Sequence, residues 1–365
     1  GLAWLGRIKP YWIVSPMPPA KQPSRRPSLS LVIPARNEEK RLPALLSSLR
    51  AIPGDFEILV VDDASTDNTR ECAAQAALLD PRIRTFSAPP KPADWVGKPW
   101  ALQHAAAQAR GECLVFLDAD VTLESDVLNF ANAIMAEQQL DALSLIPAMR
   151  TPSTPAACLL ACLAVTRAIF LRPARPGQKG GIAQGAFFAI CRKAYDAVGG
   201  HAAVAKCVVE DVALGHLLEG KGFRNLTLCA HTHLKTLAYS TFRETWIEMQ
   251  KHIYPVLGFS MRNAMLWVIG IGFLAVYPPG ALLLGIAWSI FAPSSAALAM
   301  LCSALAATLA LYAILARIIR QEGLPLIAIL AAPLAFIAGA GLLAGSVFAY
   351  TYGRVAWKDR HYPAR

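Results

Sequence analysis

Residues 113–120 read Cys-Leu-Val-Phe-Leu-Asp-Ala-Asp, and this stretch decides the fold. Its five apolar residues predict a buried β-strand, and Asp118 and Asp120, two positions apart, should leave that strand on the same side. Open α/β sheets bind ligands at the carboxyl ends of their strands. Two carboxylates there suit a hydrated divalent cation that also holds a diphosphate. A strand-end aspartate followed by a helix cap explains the triplet equally well when it is considered alone.

Strands and helices alternate around this stretch. The apolar patterns predict strands at residues 29–33 and 56–61, and helices at about 41–50, 69–79 and 98–110. Such alternation predicts a parallel sheet with right-handed crossovers. Each strand ends in a polar cluster, so one edge of the sheet should collect Glu38, Asp63, Asp118 and Asp120.

The region after residue 150 has a less regular pattern. Residues 155–170 predict an apolar helix, either a core helix or an amphipathic element that touches lipid. Residues 180–190 are Gly-rich and strand-like, and residues 210–218 are helical. The mixed aromatic and basic residues 246–254 are typical of a segment at a membrane interface.

The apolar residues are concentrated in the last third of the chain. Of the 365 residues, 55% are hydrophobic and 16% are charged. Ala264–Phe291, Ser295–Ala316 and Leu324–Tyr350 contain no Asp, Glu, Lys or Arg. Each has at least the roughly 20 residues that a membrane helix needs, so we expect about three transmembrane helices within residues 261–352. Three buried helices of a soluble domain are the alternative.

Both ends of the chain are basic, and the formal net charge is +10. Basic residues beside apolar segments meet anionic lipid headgroups, so we expect the bilayer as partner and no nucleic acid. Residues 1–28 form a basic, Pro-rich segment that could be what remains of a truncated membrane anchor, and residues 353–365 form a basic tail. The eight cysteines include no C-x-x-C pair, which indicates neither a zinc site nor a disulfide framework.

Six motifs, taken in order, resemble the family 2 glycosyltransferases of GT-A fold. They are Val32-Ile-Pro-Ala-Arg-Asn-Glu-Glu39, Val60-Val-Asp-Asp-Ala-Ser-Thr-Asp67, Gly97-Lys-Pro-Trp-Ala-Leu102, Asp118-Ala-Asp120, Val198-Gly-Gly200 and Glu210-Asp211. The resemblance implies an α/β, Rossmann-like nucleotide-diphospho-sugar transferase domain over residues 29–260, ending in an interfacial helix and followed by the membrane helices. It also implies sugar transfer with inversion at the anomeric carbon, assisted by Mg²⁺ or Mn²⁺.

The resemblance also implies roles for the nucleotide-sugar side of the site. Pro34, Arg36 and Glu38 would line the nucleotide pocket, and Asp63 would accept a hydrogen bond from the base. Lys98 would offset diphosphate charge, Asp118 would hold the ribose side, and Asp118 and Asp120 would be the metal residues. Without the resemblance, Asp62-Asp63 reads equally well as a turn before a helix cap.

The resemblance further implies that Asp211 is the general base for the acceptor hydroxyl, with Glu210 beside it. A sugar-accepting hydroxyl is a poor nucleophile, so a carboxylate must take its proton as the new bond forms. Two acids in the first turn of a helix are the structural alternative, because the helix dipole favours them.

The acceptor side departs from one family pattern. Processive synthases carry a Gln-x-x-Arg-Trp block, whereas residues 248–254 read Glu-Met-Gln-Lys-His-Ile-Tyr. We assign Gly185, Lys251 and His252 to the acceptor side in its place. His231 and His233 would share one strand face, where two isolated imidazoles are more often structural than metal ligands.

The sequence therefore predicts a multi-pass enzyme of the inner cell membrane with a cytoplasmic catalytic domain. It would transfer one sugar from a nucleotide diphosphate sugar, UDP-linked in our interpretation, to a carotenoid, hopanoid or other membrane lipid. The alternatives are a polyprenyl-phosphate glycosyltransferase and a non-catalytic membrane scaffold that binds nucleotide. A transporter fits less well, because charge-free spans offer no ionisable group at mid-membrane.

Overall fold

A computed structural model describes residues 27–170, 183–237, 239–353, 355–357 and 360–362. Within these, the chain forms two compact units, one from residues 27–148 and 183–237 and the other from 149–170 and 239–362. Residues 1–26 of the predicted amino-terminal segment lie outside the described residues. So do residues 354, 358–359 and 363–365 of the predicted basic tail.

The first unit is an α/β structure. Its strands are β1 (Leu29–Ala35), β2 (Phe56–Asp62), β3 (Ile83–Ser87), β4 (Cys113–Leu117), β5 (Val121–Leu123), β6 (Ala142–Ile146), and, after the short β7 (Ala148–Arg150), β8 (Phe187–Cys191), β9 (Asn225–Cys229) and β10 (Leu234–Leu237). Its helices are α1 (Leu42–Arg50), α2 (Thr69–Leu79), α3 (Gly97–Gln108), α4 (Val127–Glu137) and, beyond α5 (Thr154–Phe170) of the second unit, α6 (Arg192–Ala197) and α7 (Glu210–Gly220). The predicted helices and first strands are confirmed within a few residues.

The main sheet is mixed rather than parallel. Its seven strands follow the order β3-β2-β1-β4-β8-β6-β9. β1 pairs in parallel with β2 and β4, and β2 with β3, but β8 is antiparallel to both β4 and β6. The predicted parallel pairing is confirmed for β1, β2 and β4. The sequence does not reveal the antiparallel direction of β8, because a short apolar run such as residues 187–191 can be buried on both faces in either direction.

Side-chain alternation along β4 directs Asp118 toward one face of the sheet. Val115 and Leu117 lie in the core on one face, and Leu114 and Phe116 lie in the core on the other. Asp118 continues the second series. That face is covered by α3 and α7, whose Leu102 and Leu214 share its core. The carboxylate therefore emerges between these two helices.

The second unit is helical and strongly apolar. Besides α5 it contains α8 (Phe242–Val256), α9 (Met261–Phe291), α10 (Ser295–Gln321), α11 (Ile327–Leu330) and α12 (Ala332–Thr351), followed by the short strands β11 (Val355–Trp357) and β12 (Arg360–Tyr362). Among the described residues, three helices are long and apolar enough to cross a membrane: Met261–Phe291, Ser295–Arg320 and Ala332–Thr351. α9 continues through Pro278 and Pro279. The third predicted span is divided between α11 and α12.

Two hydroxyls of α12 complete the backbone hydrogen bonds of α8. Pro255 has no N–H to donate to the carbonyl of Lys251, four residues earlier. The Tyr350 hydroxyl donates to that carbonyl at 2.7 Å. The fully buried Ser346 hydroxyl donates to the Gln250 carbonyl and accepts from the Tyr254 N–H at 3.2 Å. The proline therefore leaves no gap in the hydrogen bonding of this turn.

Candidate active site

One lysine and three acidic side chains meet between α3 and α7, and they come from α3, the end of β4 and the start of α7. Lys98, the second residue of α3, places its Nζ 2.7 Å from Asp118 Oδ1 and 2.8 Å from Glu210 Oε1. Asp118 directly follows β4, and Glu210 is the first residue of α7. The exposed fraction of the side chain is 35% for Asp118 but only 4% for Glu210. We call Lys98, Asp118, Glu210 and Asp211 the acid cluster.

Asp211 is held by backbone amides on both of its carboxylate oxygens. The Gly185 N–H donates to Oδ2 at 2.6 Å, and the Val212 N–H donates to Oδ1 at 2.8 Å. The residue lies in the first turn of α7, where the helix dipole favours negative charge. These two hydrogen bonds therefore fix the orientation of the carboxylate.

The charges of the acid cluster shift the pKa of two of its members. Burial and the neighbouring Glu210 together raise the pKa of the Asp211 carboxyl to about 7, against the opposing effect of Lys98. Burial alone would lower the pKa of Lys98, but Asp118, Glu210 and Asp211 outweigh it and raise that pKa well above its usual value. Lys98 is therefore charged, and Asp211 can exchange a proton near neutral pH.

Gly185 lies close to the charged groups of the acid cluster. A Cβ at this position would lie 3.0 Å from Lys98 Nζ and 3.3 Å from the Oδ2 atoms of both Asp118 and Asp211. A side chain would crowd these groups and the space between them. Gly185 thus belongs to the same site as Asp211, through its backbone.

The acid cluster lines a cleft in the first unit. The remaining wall residues are Pro34, Leu102, Phe116, Leu117, Gly185, Phe188 and His201. Among these described wall residues, the anionic groups that could bind a metal ion are carboxylates, and none is a cysteine thiol. Hard oxygen donors of this type match Mg²⁺ or Mn²⁺.

Arg36 and Asp63 lie in two interlocked loops after β1 and β2. Arg36 Nη1 donates to the carbonyls of Asp63 at 2.7 Å and Ala64 at 2.8 Å. The Asn37 side chain accepts from the Thr66 N–H at 2.9 Å, and the Glu38 N–H donates to Thr69 Oγ1 at 2.7 Å. We call residues 36–39 and 63–69 the strand-end loops. The hydrogen bonds between them fix the backbone of both loops, which follow Pro34 of β1 and Asp62 of β2.

The other predicted site residues have different surroundings. Asp120 is half-buried in the turn between β4 and β5, and its carbonyl accepts from Thr236 Oγ1 at 3.3 Å. Lys251 and His252 belong to α8 of the second unit, where Lys251 pairs with Glu248. His233 lies in a turn rather than on a strand face; it bonds Asp126 Oδ1 at 2.9 Å and stacks on Phe130, a structural role.

His201 lines the cleft but was not among the predicted site residues. It belongs to a 3₁₀ turn, Gly200–Val204, and only 2% of its surface is exposed. The preceding Gly199-Gly200 pair was the feature of the sequence that could have drawn attention to this position. Gly200 has φ +56°, and a Cβ there would lie 2.8 Å from the Tyr195 ring, so glycine is required where the chain turns into His201.

Comparison with known proteins finds that this chain is similar to several glycosyltransferases. Residues 30–198 match the family model described as glycosyl transferase family 2. A 4,4'-diaponeurosporenoate glycosyltransferase of Staphylococcus haemolyticus is 38% identical over 99 residues, covering 27% of this chain and 26% of the relative. The enzyme of the same name from Staphylococcus aureus is 25% identical over 257 residues, covering 67% of this chain and 66% of the relative.

Two further matches extend this comparison. A dolichyl-phosphate beta-glucosyltransferase of Trichomonas vaginalis is 36% identical over 107 residues, 27% of this chain and 32% of the relative. A mannosyltransferase of Pyrobaculum calidifontis, solved with GDP-Man and Mn²⁺, superposes with a TM-score of 0.54 at 20% identity, covering 95% of this chain and 93% of that one. The predicted GT-A fold is confirmed. The matches to these three curated relatives span between about a quarter and two thirds of their lengths.

Proposed function

From the match of residues 30–198 to the glycosyl transferase family 2 model, we propose that this chain is an inverting transferase that moves one sugar to a lipid acceptor. The donor is a nucleotide diphosphate sugar, and the acceptor is a carotenoid, hopanoid or similar membrane lipid. The diaponeurosporenoate glycosyltransferases among its relatives support an acceptor of this class. The three apolar helices support membrane association, which we extend to a multi-pass protein of the inner membrane with its catalytic domain in the cytoplasm.

The observation that carries this proposal is the convergence of Asp211, Glu210, Asp118 and Lys98 on one cleft. Asp211 is oriented by two N–H donors and has a pKa of about 7. A base with such a pKa takes a proton from an acceptor hydroxyl efficiently at physiological pH, because enough of it is deprotonated and it is still basic. We therefore assign Asp211 as the general base, and Glu210 as the residue that holds Lys98 beside it.

Lys98, Asp118 and Pro34 form the side of the cleft that we assign to the donor. The Lys98 ammonium attracts the diphosphate, and Asp118 accepts hydrogen bonds from the ribose. The strand-end loops with Arg36, Glu38 and Asp63 would hold the base. Gly185, Lys251 and His252 stay our candidates for the acceptor side.

The carboxylate set of this site fits a divalent cation, with Asp118 and Asp120 as the residues that would hold it. When bound, Mg²⁺ or Mn²⁺ would stabilise the negative charge that the leaving diphosphate gathers. The mannosyltransferase neighbour solved with Mn²⁺ supports this assignment.

The test is transfer by the full chain in detergent micelles supplied with radiolabelled UDP-sugars or GDP-sugars, a membrane lipid extract and Mn²⁺. We expect a labelled lipid that disappears with EDTA and with Asp211→Asn. Failure to form any glycolipid, together with no EDTA-sensitive hydrolysis of a nucleotide sugar, would refute the enzymatic proposal.

A polyprenyl phosphate is the second candidate acceptor, favoured by the dolichyl-phosphate beta-glucosyltransferase among the relatives. Its phosphate is already anionic, so the reaction needs little help from a base. Transfer to dolichyl or undecaprenyl phosphate that persists in Asp211→Asn would favour this candidate over a hydroxyl-bearing lipid.

A further inference from the structure

His201 is a buried imidazole whose position the proposed reaction does not yet use. Its ring packs edge-on against Phe116, with 4.7 Å between ring centroids, and it forms part of the cleft wall. Nδ1 lies 2.9 Å from the Tyr195 hydroxyl. No described residue accepts or donates a hydrogen bond at the other ring nitrogen, Nε2, although the residue is almost wholly enclosed.

The direction in which the Tyr195 hydroxyl donates decides which ring nitrogen of His201 carries the proton, because this hydroxyl lies within hydrogen-bond distance of Nδ1. The Tyr195 oxygen accepts from the His201 backbone N–H at 3.1 Å and has one proton to donate. It lies 2.9 Å from His201 Nδ1 and 3.3 Å from Gln103 Oε1, which already accepts from the Ala202 N–H at 3.0 Å. The shorter contact is the better hydrogen bond. With the Tyr195 proton on this shorter contact, Nδ1 is the acceptor and the ring proton is on Nε2, which is the assignment that the nitrogen-15 measurement below tests.

The ring is also neutral. Burial and, to a smaller extent, the nearby Lys98 charge lower the pKa of His201 to about 3. A neutral Nε2–H is a hydrogen-bond donor without a positive charge. It lies in the same cleft as Lys98, so it can bind an oxygen there without placing a second positive charge in the cleft.

We propose that His201 is a donor-binding residue whose Nε2–H hydrogen-bonds an oxygen of the nucleotide diphosphate sugar. The inference rests on the proposed function, since it takes the cleft to be the donor site. Tyr195 is the positioning residue: it fixes the tautomer and the ring orientation. The oxygen belongs either to the diphosphate or to a sugar hydroxyl, and binding of UDP without its sugar distinguishes the two.

The experiment compares His201→Phe with the wild-type full chain in detergent micelles. Phenylalanine keeps a planar ring against Phe116 but has no N–H. Calorimetry with Mn²⁺ measures Kd for UDP and UDP-glucose, and for GDP and GDP-mannose. The matched control is His104→Phe, the same change at a half-buried histidine of α3 outside the cleft wall, whose Nε2 bonds Gln108 at 3.0 Å.

We expect His201→Phe to raise the Kd for the nucleotide sugar about three- to tenfold, which is the effect of losing one hydrogen bond. We expect His104→Phe to leave this Kd unchanged. An equal loss for UDP identifies a diphosphate oxygen, and a loss for UDP-glucose alone identifies a sugar hydroxyl. Unchanged affinities in a folded His201→Phe protein overturn the inference alone. No nucleotide binding by the wild-type chain would overturn the proposed function with it.

A second variant keeps the inference testable if His201→Phe does not fold. Tyr195→Phe removes the hydroxyl that fixes the tautomer. Nitrogen-15 NMR of histidine-labelled protein should show the ring proton on Nε2 in the wild type, and a share of it on Nδ1 in Tyr195→Phe. Affinity for the nucleotide sugar should fall with the share on Nδ1. A wild-type proton on Nδ1, or a Tyr195→Phe protein with altered tautomer and unaltered affinity, contradicts the proposal.

Discussion

The strand-end loops and the acid cluster form two parts of the same edge of the sheet, but they are stabilised in opposite ways. In the loops, Arg36, Asn37 and Glu38 bond mostly to neutral groups: carbonyls, hydroxyls and backbone amides. In the cluster, three carboxylates share one ammonium, which leaves two excess negative charges when all are ionised. The loops therefore carry little net charge in their contacts, whereas the cluster has an excess of negative charge that a divalent cation would offset.

The largest expected effect tests the assignment of the base within the cluster. Asp211→Asn keeps the shape and the Gly185 contact but cannot accept a proton. We expect kcat to fall about 10²- to 10⁴-fold, the usual contribution of a general base, with little change in KM for the nucleotide sugar. Steady-state kinetics measure both, with Glu219→Gln on the exposed end of α7 as control. A loss of less than threefold contradicts the assignment.

The second effect tests whether the cluster needs a cation. Lys98→Met keeps the length of the side chain and leaves the carboxylates without their ammonium. Breaking a buried pair in this way costs about 3 kcal/mol or more, so the melting temperature should fall by several degrees. Added Mn²⁺ should raise the melting temperature of Lys98→Met more than that of the wild type. The exposed Lys193→Met is the control, and an equal response to Mn²⁺ would argue against cation binding here.

The third effect tests the interlocking of the strand-end loops. Arg36→Lys keeps the charge but cannot bond both loop carbonyls with the same planar geometry. We expect a loss of about 1 kcal/mol in the free energy of unfolding of the first unit, measured in urea, and weaker nucleotide binding. The matched change Arg50→Lys, on the exposed end of α1, should leave both quantities unaltered. Unaltered binding in Arg36→Lys would separate the loops from the nucleotide site.

A fourth effect concerns pH. The pKa of Asp211 is raised in the folded chain, from 3.8 to about 7, so the folded state holds this proton more tightly than the unfolded state does. Its contribution to stability is fully present below about pH 4 and is lost as the pH rises through about 7. The melting temperature of Asp211→Asn relative to the wild type should therefore increase between pH 4 and pH 7 and then stay level. A difference that does not vary with pH would contradict the raised pKa.

The acid cluster could be predicted from the sequence because its residues are at positions that local patterns mark. Asp118 ends an apolar strand, Lys98 begins a helix after Gly97, and Glu210-Asp211 begin another. Gly185 reaches Asp211 through a backbone N–H, which has no sequence signature of its own. The tautomer of His201 depends on Tyr195 and Gln103 in other elements, so no local pattern reveals it.

Two features of the sheet also escaped the sequence pattern, for physical reasons. β3, at the sheet edge, has one buried residue, Ile83, among half-buried and exposed ones, so its apolar signal is weak. The direction of β8 is set by long-range pairing with β4 and β6, and its own residues are compatible with either direction. Edge strands and strand direction depend on partners that lie far away in the chain.

The hydroxyls of Ser346 and Tyr350 have a practical consequence for anyone who shortens this protein. Because they complete the backbone hydrogen bonds around Pro255, a version that ends before residue 346 would leave Lys251 and Gln250 carbonyls of α8 without those partners. The last helix is thus an integral brace for α8, and removing it to gain solubility would unravel a turn some ninety residues earlier in the chain.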